Sequence, residues 1–262
     1  MSIRDFGSRM HILDWAEGCR GDFSATMNEM LGPTGVLVST FWMPISRAQP
    51  DEAIPFRSCP KLLDPRTSAA GLNWWLADPH PRAQTPNLDL AATAIFPDGQ
   101  PGLVLVEAKA HIGELKAEEK GKPPGSVRNH KSIGAAIEEA ACWLGGGASG
   151  VRISRDNHYQ FANGLAMSCF LAKRGIPVVL IYLGFTGDEA VGVPLRDGQS
   201  WRDQVLEHTR DIFPASWWDQ QIPWSSGNLW TLIRSLPVLR QTPPIDERRT
   251  YRTWMGKVAL ET

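Results

Sequence analysis

The tripeptide Glu107-Ala108-Lys109 lies at the end of an apolar run, Leu103 to Ala110, and Asp89 interrupts a second run, Asn87 to Phe96. Acids and lysines are seldom placed inside otherwise apolar strands without a partner, because removing a charge from water is unfavourable unless another charge or a hydrogen bond compensates it. The two runs flank Pro97-Asp98-Gly99-Gln100-Pro101-Gly102, a turn sequence, so together they read as a β-hairpin. A hairpin centred on Gly99 sets Asp89 opposite Lys109 and one diagonal from Glu107, roughly 7–8 Å between Cα atoms. Two carboxylates at that spacing could share one cation. A hard ion such as Mg2+ takes oxygen ligands and keeps several waters, so Asp89, Glu107, a carbonyl such as that of Ala108 and a substrate phosphate would meet its demands. Mn2+ and Ca2+ accept the same oxygens. Lys109, beside the ion, could orient an attacking water and offset charge developing on a phosphate. A register change of one residue would turn Asp89 to the other face and remove this arrangement. The plainer alternative is a salt-bridged cluster at the exposed end of a sheet, with no metal.

The alternation of the hairpin assigns its faces. Leu88, Leu90, Ala92, Ala94 and Phe96 share one side with Val104, Val106, Ala108 and Ala110, whereas Asp89, Ala91, Thr93, Leu105, Glu107 and Lys109 share the other. A helix is expected from an N-cap at Asp22 or Ser24 to Leu31, with Phe23, Met27 and Met30 at helical spacing, and a strand from Val36 to Trp42. Residues 44–86 are proline-rich and read as irregular, with one apolar cluster around Leu72 to Leu76. Ile133, Ile137, Ala141 and Leu144 mark a helix, and a second runs from Asn157 to Arg174 before Gly175. Pro177 to Phe185 is a buried strand. Residues 200–213 and 226–236 read as helical, and the tail after Gln241 as peripheral.

Composition narrows the function classes. With 27 Lys and Arg against 28 Asp and Glu, the chain has a formal charge of −1, so bulk electrostatics do not draw it to nucleic acid and any such binding needs a local patch. Residues 109–131 supply one, with six basic residues against three glutamates. Lys116, Lys120, Lys122, Arg128 and Lys131 could follow a phosphate backbone from this polar loop, or simply be solvated. No helix-turn-helix, zinc finger or basic zipper is visible. No apolar run approaches the ~18–20 residues of a membrane span, so a soluble, cytoplasmic protein without a membrane partner is expected. Cys19, Cys59, Cys142 and Cys169 form no Cys-x-x-Cys pair and read as buried thiols. Eleven tryptophans suit a buried core, or alternatively a stacking platform that would expose Trp74, Trp75, Trp217 and Trp218 around a concave pocket.

Asp89 followed by Glu107-Ala108-Lys109 at a hydrophobic strand end resembles the PD-(D/E)xK nuclease superfamily, which includes type II restriction enzymes and many repair nucleases. The order of elements agrees with that core (helix, three strands, helix, strand) over roughly residues 20–190. Pro86 is separated from Asp89 by Asn87-Leu88 rather than adjacent to it. The resemblance implies an α/β, restriction-endonuclease-like fold, a mixed central sheet flanked by helices; the chain is read as one domain spanning 1–262, in which residues 191–262 form a helical extension beyond that core. It implies Asp89 and Glu107 as metal ligands, Lys109 as assistant to the nucleophile, and hydrolysis of phosphodiester bonds in DNA, or alternatively RNA. An added acid from the first helix would be Glu29, with Glu17 as a competitor, and a polar residue from the helix after the lysine strand would be Gln160, with Asn163 one turn on. Mg2+ is the expected cofactor, with Mn2+ as an alternative. A homodimer is an admissible assembly. The other reading is a nuclease-like fold that no longer cuts and binds nucleic acid or protein. His111, Glu114 and Asp188 read as loop or turn residues.

Overall fold

The computed structural model describes residues 7–18, 21–57, 60–80, 83, 85–121, 126–189, 193–223 and 228–238. A mixed six-stranded sheet forms the middle layer. Its strands are β1 (Leu37–Met43), β2 (Leu90–Ile95), β3 (Pro101–Lys109), β4 (Val178–Thr186), β5 (Gln220–Gln221) and β6 (Leu229–Pro237), in the order β1-β2-β3-β4-β6-β5. β1, β2 and β3 are successively antiparallel, and β3, β4 and β6 run parallel. The chain is therefore an α/β protein with a mixed sheet between two layers of helices. Among the described residues no helix is long and apolar enough to cross a membrane.

One layer consists of α1 (Ser8–Ala16) and α2 (Phe23–Leu31), which bury Ile12, Trp15, Phe23 and Met27 against Leu90, Val104, Val106 and Ile181. Asp22 caps α2 by accepting from the Ala25 amide at 3.1 Å, as its sequence position leads one to expect. The opposite layer contains α3 (Pro65–Trp75), α5 (Val127–Trp143), α7 (Tyr159–Lys173) and α8 (Gly198–His208), packed on Leu105, Leu180, Tyr182 and Leu229. α7 is buried without a break from Phe161 to Ala172, because helices cover it on one side and the sheet on the other. β4 is likewise buried along its whole length, as a central parallel strand must be. Two short helices, α4 (Ile112–Glu118) and α6 (Gly146–Ser149), and two 3-10 turns, Gly32–Thr34 and Ala215–Trp217, are the remaining elements among the described residues.

The hairpin keeps the expected faces but not the expected register. Ala91 pairs with Leu105 and Leu90 with Val106, so continuing the ladder by one residue sets Asp89 beside Glu107, not Lys109. The turn is centred on Asp98: the Phe96 amide bonds the Gln100 carbonyl, the Gly99 amide bonds that of Phe96, and Asp98 caps the Gln100 amide. A slip of two residues preserves every face. Leu88 is the exception, since it bridges Ala53 and joins the opposite core from Leu90.

Several other expectations are corrected. Of the segment 226–236 read as helical, residues 229–236 belong to β6, parallel to β4, so the described part of the supposed helical extension holds α8 but also β5 and β6, which complete the sheet. The tail after Gln241 lies outside the described residues. Residues 209–213, read as the end of a helix, lie beyond α8. The stretch 44–86 contains α3, capped by Asp64. Within the supposed basic loop, residues 112–118 form α4 and those from 127 on the first turns of α5, while 122–125 lie outside the described residues. Cys142 is exposed, whereas Cys169 is buried; Cys19 and Cys59 lie outside the described residues. Trp75, Trp217 and Trp218 are buried and Trp74 stacks on Trp143 and Phe170, which fits a core and not an exposed platform.

Gly184, the β4 residue opposite Lys109, lets α8 approach the sheet: a Cβ there would lie 2.5 Å from the Trp201 ring. Trp201 is fully buried and donates its indole N–H to the Tyr182 carbonyl at 3.2 Å. Gly184→Ala is therefore expected to destabilise the protein by about 1–3 kcal/mol through overpacking. Urea unfolding of the variant checks this.

Candidate active site

The charged residues of the hairpin meet where β3 leaves the sheet. Glu107 and Lys109 are both buried, because β4 covers one side of their strand and α4 and α7 overhang their face. Lys109 Nζ lies 2.5 Å from Glu107 Oε1 and donates to Gln160 Oε1 at 3.2 Å. Asp89, at the entrance to β2, accepts from the Ala108 amide through Oδ2 at 2.7 Å. The structure thus brings Asp89, Glu107, Ala108, Lys109 and Gln160 together. Gln160 arrives from the first turn of α7, whose apolar residues fix the helix against the sheet and leave this exposed side chain at the rim.

Other expected participants lie elsewhere. Glu29 is exposed on α2, beyond the opposite face of the sheet, and lines a cleft with Thr26, Asp219 and Arg234. Glu17 accepts from the Arg47 amide. Asn163 is buried in α7. Glu114 is tied to the Ala110 amide at 2.6 Å and to Ser8, so it buttresses the end of β3. Asp188 is no simple turn residue: it is buried 2.6 Å from His11 Nε2. Lys116, Lys120, Arg128 and Lys131 are exposed, and Arg128 pairs with Asp78 at 3.2 Å; Lys122 lies outside the described residues. Lys120 bridges Asn157, three residues before Gln160, so part of the basic segment borders the site.

Residues that sequence reasoning passed over complete the cluster. Glu118, at the end of α4, is buried with Oε2 3.5 Å from Lys109 Nζ, and the Tyr182 hydroxyl donates to its Oε1. His208 Nε2 stands 3.8 Å from Glu118 Oε2, and its ring packs edge-on to His158 at 4.4 Å between centroids. Glu118 sits in a polar stretch without strand or helix periodicity. Tyr182 carried the clearer signal, as the one hydroxyl in the apolar run PVVLIYLGF.

Burial disfavours charge on Asp89, Glu107 and Lys109, and their mutual interactions decide the outcome. Burial raises the Glu107 carboxyl to about 8 against the pull of Lys109, and Asp89 and Glu118 add to the rise. Burial likewise raises Asp89 to about 6; Lys109, the Ala108 amide and Arg9 oppose that rise, and Glu52 reinforces it. For Lys109, burial works against the ammonium, but Glu107, Glu118 and Asp89 outweigh it and hold its pKa above the usual lysine value. Lys109 is therefore a fixed positive donor at neutral pH, unsuited to accepting a proton. Three carboxyl groups surround one lysine, which leaves the pocket short of positive charge.

That donor set fits a hard divalent cation. Ala108 engages one oxygen of Asp89 and Lys109 one of Glu107, so each carboxylate keeps an oxygen for a second partner. Among the described residues no three His, Cys, Asp or Glu side chains converge into a complete cage. An ion here would rest on two carboxylates, water and substrate oxygens, which is the usual manner of Mg2+.

His208 is pushed down to about 4, chiefly by burial, with His158 and Lys109 adding and Glu119 opposing. Its folded pKa lies below the unfolded value of 6.5, so the native state favours the neutral ring. The associated stability is present above the unfolded pKa and is lost as pH falls through the folded one. Between about pH 7 and pH 5 the wild type is expected to lose about 1 kcal/mol more stability than His208→Gln, after allowance for partial solvent screening. Urea unfolding at the two pH values measures the difference.

No family model, curated protein or solved structure matches the chain.

Proposed function

We propose that the protein is a metal-dependent nuclease that hydrolyses phosphodiester bonds of DNA, with RNA as the alternative substrate. The observation that carries this reading is the placement of Asp89, bound to the Ala108 amide at the entrance to β2, next to Glu107 of β3, with the Lys109 ammonium against Glu107 and Gln160. The resemblance of Asp89 and Glu107-Ala108-Lys109 to the PD-(D/E)xK pattern supports it, as does a sheet that places those residues at one strand end.

Asp89 and Glu107 would hold the ion, and a bound Mg2+ would supply an activated water and charge stabilisation at the phosphate. Lys109, kept protonated by its carboxylate neighbours, donates hydrogen bonds to the attacking water or to a phosphate oxygen. Gln160 restricts where that ammonium can point. Exposed Lys116 and Lys120 on the adjoining segment provide charge for the flanking backbone phosphates.

The test is calorimetric titration of Mg2+ and Mn2+ into wild type, Asp89→Ala and Glu107→Ala, with the same samples assayed on labelled single- and double-stranded DNA and RNA. Metal-dependent cutting by wild type that disappears in both variants is the expected result. Metal binding that ignores both carboxylates would overturn the proposal. Carboxylate-dependent binding without cutting of any of the four substrates would favour a non-cutting, nucleic-acid-binding module.

A further inference from the structure

Glu118 is the most completely buried acid of the cluster, with a side-chain exposure of 0 %. A carboxylate in such a place is unfavourable unless its surroundings compensate it. Tyr182 donates to Oε1, while Oε2 has no hydrogen bond among the described residues and faces Lys109 Nζ at 3.5 Å and His208 Nε2 at 3.8 Å. The His208 Nε2 atom is itself without a hydrogen-bond partner among the described residues. The carboxylate is thus oriented from one side by a hydroxyl and presents its other oxygen to the lysine.

We propose that Glu118 is a positioning residue for Lys109, holding the ammonium in place when Glu107 is shared with a metal ion; this rests on the nuclease reading given above. Glu107 has two tasks under that reading, as metal ligand and as the nearest counter-charge of Lys109. A cation drawing on Glu107 weakens its hold on the ammonium. Glu118 lies on α4, a separate element, and its orientation derives from β4 through Tyr182, which is the register partner of Glu107. Tyr182 is in turn fixed by Trp201, whose ring lies parallel to its own at 6.1 Å and whose N–H bonds its carbonyl. The second anchor of Lys109 therefore does not depend on what occupies the metal ligands.

Glu118→Gln is expected to lower kcat for cleavage by about 10- to 100-fold, the range seen when an outer partner of a metal site is removed, with KM and calorimetric metal affinity little changed. In a Lys109→Met background the same substitution should have no further effect, whereas a merely structural role would lower activity in both backgrounds. The readout free of catalysis is the 1H–15N signal of the Lys109 ammonium, identified by its loss in Lys109→Met. It should shift or broaden away in Glu118→Gln and shift less in Tyr182→Phe, a variant that keeps the ring and covers the case in which Glu118→Gln does not fold. An unchanged signal in the folded variants overturns the proposal. A shifted signal in a protein that cuts nothing supports the positioning of Lys109 and counts against the nuclease reading.

Discussion

Replacing Glu107 with glutamine is expected to reduce metal-dependent cleavage by on the order of 10²–10³-fold, the effect of deleting one preorganised electrostatic group from a closed site. Glutamine keeps the volume and can still accept a hydrogen bond from Lys109, so what it removes is the negative charge that Glu107 takes on when a cation displaces its proton. The fold should survive, because Lys109 retains Glu118 at 3.5 Å and Gln160 at 3.2 Å. Single-turnover cleavage at saturating Mg2+, with a thermal melt as control, makes the measurement. A rate within a few-fold of wild type, in a protein that does cut, would show that Glu107 is no ligand. The effect should exceed that of Glu118→Gln, which acts only through the lysine.

The largest effect on stability is expected from Lys109→Met. The substitution keeps an unbranched stem but leaves Glu107 and Glu118 buried without their shared counter-charge. Breaking a buried ion pair from one side typically costs about 3–5 kcal/mol, far more than the pair's net contribution. Adding Glu107→Gln to Lys109→Met should restore only the part of the loss spent on taking up a proton, because burial already raises the Glu107 carboxyl to about 8 and the group neutralises once the ammonium is gone. Urea unfolding of the two single variants and the double variant gives the coupling. A loss below about 1 kcal/mol for Lys109→Met would mean that the cluster is more hydrated than its burial implies.

The contrast between what the sequence disclosed and what it concealed follows from the range of the forces involved. The faces of the hairpin were legible because alternation has a period of two and each face here lies in a different core. Its register was not, because Gly99, with φ of 81°, marks a turn without marking its centre; Asp98 occupies that place. Asp89 and Glu107 were nevertheless brought to one side, since the slip is an even number. The strand β6 was concealed for a different reason. Leu229, Leu232, Ile233 and Leu236 fall at i, i+3, i+4 and i+7, which imitates a helix, yet Leu229 and Ile233 enter one core and Leu232 the other. A strand buried on both faces has no polar face to reveal its period. The helix α3 was signalled by Asp64-Pro65, an N-cap followed by proline at the first helical position, within a stretch dominated by prolines.

Within the site, Gln160 was suggested by the resemblance to the PD-(D/E)xK pattern and Glu118 by nothing local. Its burial is created by three elements distant in sequence: α4 that carries it, β4 that supplies Tyr182 and α8 that supplies His208. Long-range burial of a polar residue leaves no periodic trace, so a buried glutamate and a solvated one look alike in the sequence.

The position of β6 bears on how the protein is made. Residues 229–237 supply the strand that flanks β4 on the side away from β3, although β3 is complete by residue 109. A nascent chain that has emerged only as far as β4 holds every residue of the acidic cluster except His208, but exposes a full-length parallel edge rich in Val, Leu and Ile. Such an edge invites pairing with another chain. Until the last central strand emerges, assembly of the site and protection from aggregation are separate problems for the ribosome-bound chain, and a fragment ending after β4 would inherit the unsolved one.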